Sequence, residues 1–201
     1  MLGLPKATEL SKQLPKNAIY AKFQMNTAEK AKIDADISKI TIVNEVSADK
    51  VHIAVGEQVK SFFVLLVALK KKDFDDKTII TISKLIPQNM LLVLECGDEA
   101  KLATYHTKLM QTEWKRKEEL SVELKGLNLD AVWENIIIQI GGITVDQGNT
   151  LDEQIAVDEQ RMRIQKELDR LTKQAKNEKQ PKKKFELVQK MNRLKKELEE
   201  I

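Results

Sequence analysis

From Ser38 onward apolar and polar residues take turns along the chain. Ile40 and Ile42 alternate with polar neighbours, as do Val51, Ile53 and Val55, and the polar run Ser47-Ala48-Asp49-Lys50 lies between the two sets. A period of two predicts two paired strands joined by a turn. The next apolar segment, Ser61 to Leu69, does not alternate, which suits a central strand covered on both faces. Its β-branched and aromatic residues, and the lysines flanking it, favour strand over helix. Met90 to Glu95 reads as another buried strand and Gly97-Asp98-Glu99 as a turn. Lys101 to Met110 then alternates as one strand with Ala103, Tyr105, Thr107 and Leu109 on one face.

Helical signals separate these runs. Asn26-Thr27-Ala28-Glu29 has the spacing of a capping box and predicts a helix over Thr27 to Asp36. Asp75-Asp76 supplies an N-cap for a helix through Ile79, Ile82, Ser83 and Ile86, closed by Pro87. Near Asn128 a third helix begins, with Leu129, Val132, Trp133, Ile136, Ile137 and Ile140 on one stripe and Gly141-Gly142 ending it. Residues 1–26, broken by Pro5 and Pro15, read as an irregular lead-in with one short helix. The expected body is α+β with a mixed or mostly antiparallel sheet, spanning 1–148.

Beyond a polar connector the pattern changes to heptads. Val157, Ile164, Leu168, Leu171 and Ala175 form one seam, interrupted by Arg161, and Leu187, Met191, Leu194, Leu198 and Ile201 step 4, 3, 4, 3. Pro181 stands between them, and a proline inside a helix costs about 3 kcal/mol. The chain is therefore expected to double back there, making 149–201 an antiparallel helical hairpin of coiled-coil type.

Charge sharpens this picture. Residues 1–150 carry 20 basic and 20 acidic side chains, so the chain's whole net charge of +3 lies in residues 151–201. Within the arm, residues 170–184 hold seven basic groups and one acidic group: Arg170, Lys173, Lys176, Lys179, Lys182, Lys183 and Lys184 against Glu178. Such a cluster attracts phosphate or an acidic protein surface, although lysines also serve simply to solvate an exposed loop. Aromatic residues make up only 4% of the chain and Phe185 alone sits beside the cluster, so reading of base sequence is not expected.

Candidate chemistry is sparse. The one cysteine, Cys96, ends an apolar run and reads as an inert thiol; His52 and His106 have no second His or Cys nearby, and there is no Gly-rich phosphate loop. No catalytic residue, metal or cofactor is expected. The longest apolar run is far too short to span a bilayer, and with no signal peptide evident the expected location is cytoplasmic. One arrangement points the other way. The order helix, strand, strand, strand, helix, strand over residues 27–96 matches a restriction-endonuclease-like core, which binds magnesium through an Asp and a Glu-x-Lys. Here Lys70 is in place but the position two before it is Ala68, so an inactive relative is expected before an active nuclease.

Several segments resemble one family along nearly the whole chain: Leu2-Gly3-Leu4-Pro5-Lys6, Leu14-Pro15-Lys16, Val64 to Lys70, Ile86-Pro87, Gln111-Thr112-Glu113-Trp114, Gly126-Leu127-Asn128-Leu129 and Glu178-Lys179-Gln180 with Lys184-Phe185. They are similar to an uncharacterised bacterial family known as a domain of unknown function. Its members are often encoded beside DNA methyltransferases and helicases in restriction-like, phage-defence clusters. The resemblance implies an accessory role there, with a helicase or methyltransferase as protein partner and nucleic acid contacted through phosphates. A homodimer built on the arm is an alternative. In the body, Lys70, Thr112 and Trp114 are the residues to watch, with sheet-edge packing the plainer role for Trp114.

Overall fold

The computed structural model describes residues 2–201. It divides into two compact units, Met1–Ile143 and Thr144–Ile201. In the first, the elements run β1 (Glu9–Leu14), α1 (Lys16–Lys22), α2 (Thr27–Asp36), β2 (Ile37–Ser47), α3 (Ala48–Val51), β3 (Ser61–Leu69), α4 (Asp76–Ser83), β4 (Asn89–Cys96), β5 (Glu99–Tyr105), β6 (Leu109–Gln111), β7 (Lys115–Arg116) and α5 (Leu129–Gly141). The strands form one sheet in the order β1-β2-β3-β4-β5-β6, with β7 also on β5. Every pairing is antiparallel except β3 with β4, which α4 connects. The fold is α+β, as the patterning predicts. Among the described residues no helix is long and apolar enough to cross a membrane.

The sheet has two covered faces. On one, Leu65, Val67 and Leu69 of β3 and Met90, Leu92 and Leu94 of β4 pack with Ile19 of α1, Ile33 of α2 and Ile79 and Ile82 of α4. On the other, Phe62 meets Trp133 of α5, their rings 5.1 Å apart and tilted by 46°. Both strands carry apolar side chains on both faces, which explains their unbroken apolar runs. β2 solves the same problem differently. Ile42 pairs with Leu65, but the next pairing is Asn44 with Val64, so Val43 is bulged out. The bulge carries Asn44 and Val46 to the α5 face although Ile40 and Ile42 lie on the other. Buried Asn44 is satisfied there, its amide donating to Thr8 Oγ1 at 2.8 Å.

Three expectations need correction. Val51, Ile53 and Val55 are not a strand: Ala48–Val51 is one helical turn, ended by His52 in the left-handed region at φ 55°. β2 pairs directly with β3, and the loop that follows docks on α5 instead, where the Leu129 N–H donates to the Ala54 carbonyl at 3.0 Å. The order over residues 27–96 therefore lacks one strand of the endonuclease-like series. Second, Lys101 to Met110 is two strands, since Tyr105 pairs with Leu109 across a turn that holds His106. Third, the lead-in contains an edge strand, β1, besides its short helix.

The helix starts were legible. Asn26 and Glu29 form the reciprocal capping box on α2, Asp75 caps α4 through the Lys77 N–H, and Asn128 caps α5 through the Ala131 N–H. Asp130, inside the first turn of α5, accepts from the backbone N–H groups of Val59 and Glu57, each at 2.7 Å, and of Gln58 at 3.2 Å. Gly56 lies so close that a Cβ there would sit 2.2 Å from the Asp130 carboxylate, which leaves no room for any other residue.

These N–H groups, the Val59 bond first, hold the Asp130 carboxyl below its ordinary value of 3.8, helped by nearby Lys60. With the folded pKa below the unfolded one, the bonds contribute stability above pH 3.8 and lose it as pH falls through the folded pKa. Asp130→Asn is therefore expected to flatten the acid limb of the stability profile. Denaturation midpoints of both proteins between neutral and acid pH check this; parallel curves would show that Asp130 does not anchor the loop.

Candidate polyanion-binding site

The second unit is a helical hairpin, α6 (Leu151–Asn177) and α7 (Pro181–Glu200). α6 starts in a capping box between Thr150 and Glu153. One turn on, buried Gln154 accepts from the Asp146 N–H and the Asn149 amide, each at 3.0 Å, which fastens the polar connector to the helix. Ile164, Leu168, Leu171 and Ala175 are buried along α6. The α7 seam of Leu187, Met191, Leu194, Leu198 and Ile201 is half-buried. The helices are antiparallel: Gln160 donates to Glu197 and Arg161 to the Ile201 carbonyl oxygen.

The turn is short because its chemistry is local. α6 stops at Asn177, the Glu178 carboxylate accepts from the Gln180 N–H at 2.8 Å, and Pro181 occupies the first position of α7. There the missing N–H costs nothing and the fixed φ favours the helix. The proline thus starts the second helix, and the chain reverses over Glu178-Lys179-Gln180.

The structure brings the predicted cations to this end. Arg170, Lys173, Lys176, Lys179, Lys182, Lys183 and Lys184 are all exposed. Arg170 is paired with Glu167 at 2.6 Å, whereas among the described residues none of the six lysines has a carboxylate partner. Three of them stand in the first turn of α7, which has no side-chain cap and no acidic residue. Cations at a helix N-terminus oppose the macrodipole by some tenths of a kcal/mol each, while an anion placed there gains from both the lysines and the free N–H groups. Between the helices near the turn a groove of about 610 Å³ is lined by Lys173, Lys183 and Lys190 and by the acidic Glu178 and Glu186, together with Gln174, Asn177 and Leu187. Of the predicted residues the groove takes Lys173 and Lys183. Lys190 was missed, although it lies seven residues beyond Lys183 and so on the same helical face.

The body candidates all make contacts within the fold. Lys70 reaches the Asp34 backbone oxygen, Lys71 pairs with Asp36 at 3.2 Å, and Lys72 pairs with Glu99. Thr112 Oγ1 accepts from the Leu102 N–H at 3.0 Å and so fastens β5 to the segment after β6. Trp114 is half-buried against the core, and its ring faces the ammonium groups of Lys72 and Lys101 at 5.4 and 5.3 Å. Lys101 also lies over Phe74, and burial pulls its pKa below the usual lysine value. Among the described residues no three His, Cys, Asp or Glu side chains cluster as a metal site would require.

The molecule is thus an α+β domain joined to a helical hairpin that gathers its cations at the turn. The chain belongs to the family of the domain of unknown function DUF4391, whose model matches residues 2–198. Neither the curated proteins nor the solved structures gave a match.

Proposed function

We propose that this protein is a non-enzymatic accessory component that docks nucleic acid, through its phosphates, on the turn end of the hairpin. The observation that supports this most is the set of six carboxylate-free lysines, three of them in the first turn of α7 where the helix itself disfavours them. A solvating surface has no need to put cations at that end; an anion-binding one does. The α+β body then serves as the protein-docking part. Given the resemblance noted above, its partner is a DNA methyltransferase or helicase of a restriction-like, antiphage system.

Binding of a labelled oligonucleotide to the full chain, followed by polarisation across a potassium chloride series, tests the first half. Log affinity is expected to fall linearly with log salt with a slope of about −4, as for four to five phosphates on duplex DNA. A flat line would remove the phosphate contact. Co-expression with a neighbouring helicase or methyltransferase tests the second half, the expected result being one peak in size exclusion.

A further inference from the structure

We infer that the outer face of α7 accepts unpaired nucleic acid, single-stranded DNA or RNA, with Phe185 as the platform on which a base stacks. This rests on the polyanion reading above and adds to it the class of nucleic acid. The seam of α7 faces α6 through Leu187, Met191, Leu194 and Leu198. Lys182, Phe185, Gln189, Asn192 and Lys196 step 3, 4, 3, 4 along the same helix but out of phase with that seam, and all five are exposed. They make a stripe about 21 Å long, at 1.5 Å per residue.

Phe185 is 62% exposed and its neighbour Val188 40%. A bare phenyl ring is disfavoured in water, and the heptad pairing with α6 does not use it. Its surroundings decide what it suits. Lysines are depleted from the centres of protein–protein interfaces, and Phe185 directly follows three of them. In a duplex the base faces are already stacked on one another, so an aromatic side chain finds a free π-face only on an unpaired base. Lys182 at one end and Lys196 at the other are placed to hold phosphates. Gln189 and Asn192, which among the described residues bond to no other side chain, present amides to base edges between them.

The experiment compares full-length wild type with Phe185→Ala and Phe185→Trp, using labelled dT15, U15, a 15-base-pair duplex and inorganic polyphosphate as probes. The expected result is tighter binding of the single strands than of the duplex. Phe185→Ala should weaken single-strand binding about tenfold and leave polyphosphate binding unchanged. Phe185→Trp should keep the affinity, with its added fluorescence quenched on binding. A difference between dT15 and U15 would identify which nucleic acid is the source. Polyphosphate binding with no effect of Phe185→Ala on single strands overturns this inference alone. Failure of every probe to bind overturns the polyanion reading with it. Because Phe185 is exposed, its removal does not threaten the fold.

Discussion

Replacing Lys182, Lys183 and Lys184 together by glutamate is expected to lower affinity for the oligonucleotide by about a hundredfold or more at low salt, and to leave the thermal transition in place. The substitution reverses three charges at the turn end. If each lysine neutralises one phosphate, the slope of log affinity against log salt also shrinks, by about 2.1 on a single strand and about 2.7 on a duplex. The usual objection, that such a variant has merely unfolded, is answered by the site itself. These positions are the first turn of α7, where acidic residues complement the helix dipole and lysines oppose it. Glutamates there therefore hold or strengthen the helix while destroying the anion site, so stability and binding move apart. Circular dichroism and polarisation on the same samples give both readouts, and an affinity within twofold of wild type would place the binding elsewhere.

Phe62→Ala carries the largest expected cost in stability, about 3–5 kcal/mol. Phe62 is 0% exposed and sits in β3, between β2 and β4, with its ring against Trp133. Truncation leaves a void that the strand cannot close, because its backbone is hydrogen-bonded on both sides. A urea titration read by far-ultraviolet circular dichroism should show a lower midpoint at unchanged slope. A loss below about 1 kcal/mol would mean that the two layers are not joined through this ring.

Much of the fold was legible, and the exceptions share a cause. Caps announce themselves locally, so Asn26, Asp75 and Asn128 mark their helices wherever the rest of the chain goes. The apolar stripe of α5 and the seams of the hairpin needed only a period. Strand ends were harder. Across the β5–β6 turn, Tyr105 opposes Leu109 and Ala103 opposes Gln111, so the alternation continues in phase and the turn leaves no mark in it. At Val43 the reverse happens: the alternation of Ile40, Ile42, Asn44 and Val46 looks continuous, yet the bulge changes which face is filled. Val51, Ile53 and Val55 alternate by accident of a loop whose position is set by Asp130, more than seventy residues away. At the candidate site, the charge cluster could be read from composition. The groove could not, because which lysines face it depends on the register between α6 and α7.

The order in which the layers are made has a consequence for synthesis. All of β2 to β5 has left the ribosome once residue 105 is out, but α5, which closes over Phe62, ends at Gly141. At roughly 5–20 residues per second, one side of the sheet spends about 2–7 s without its lid. During that interval a nascent chain presents oily strands to the cell, which makes residues 106–141 the window in which chaperone capture matters most.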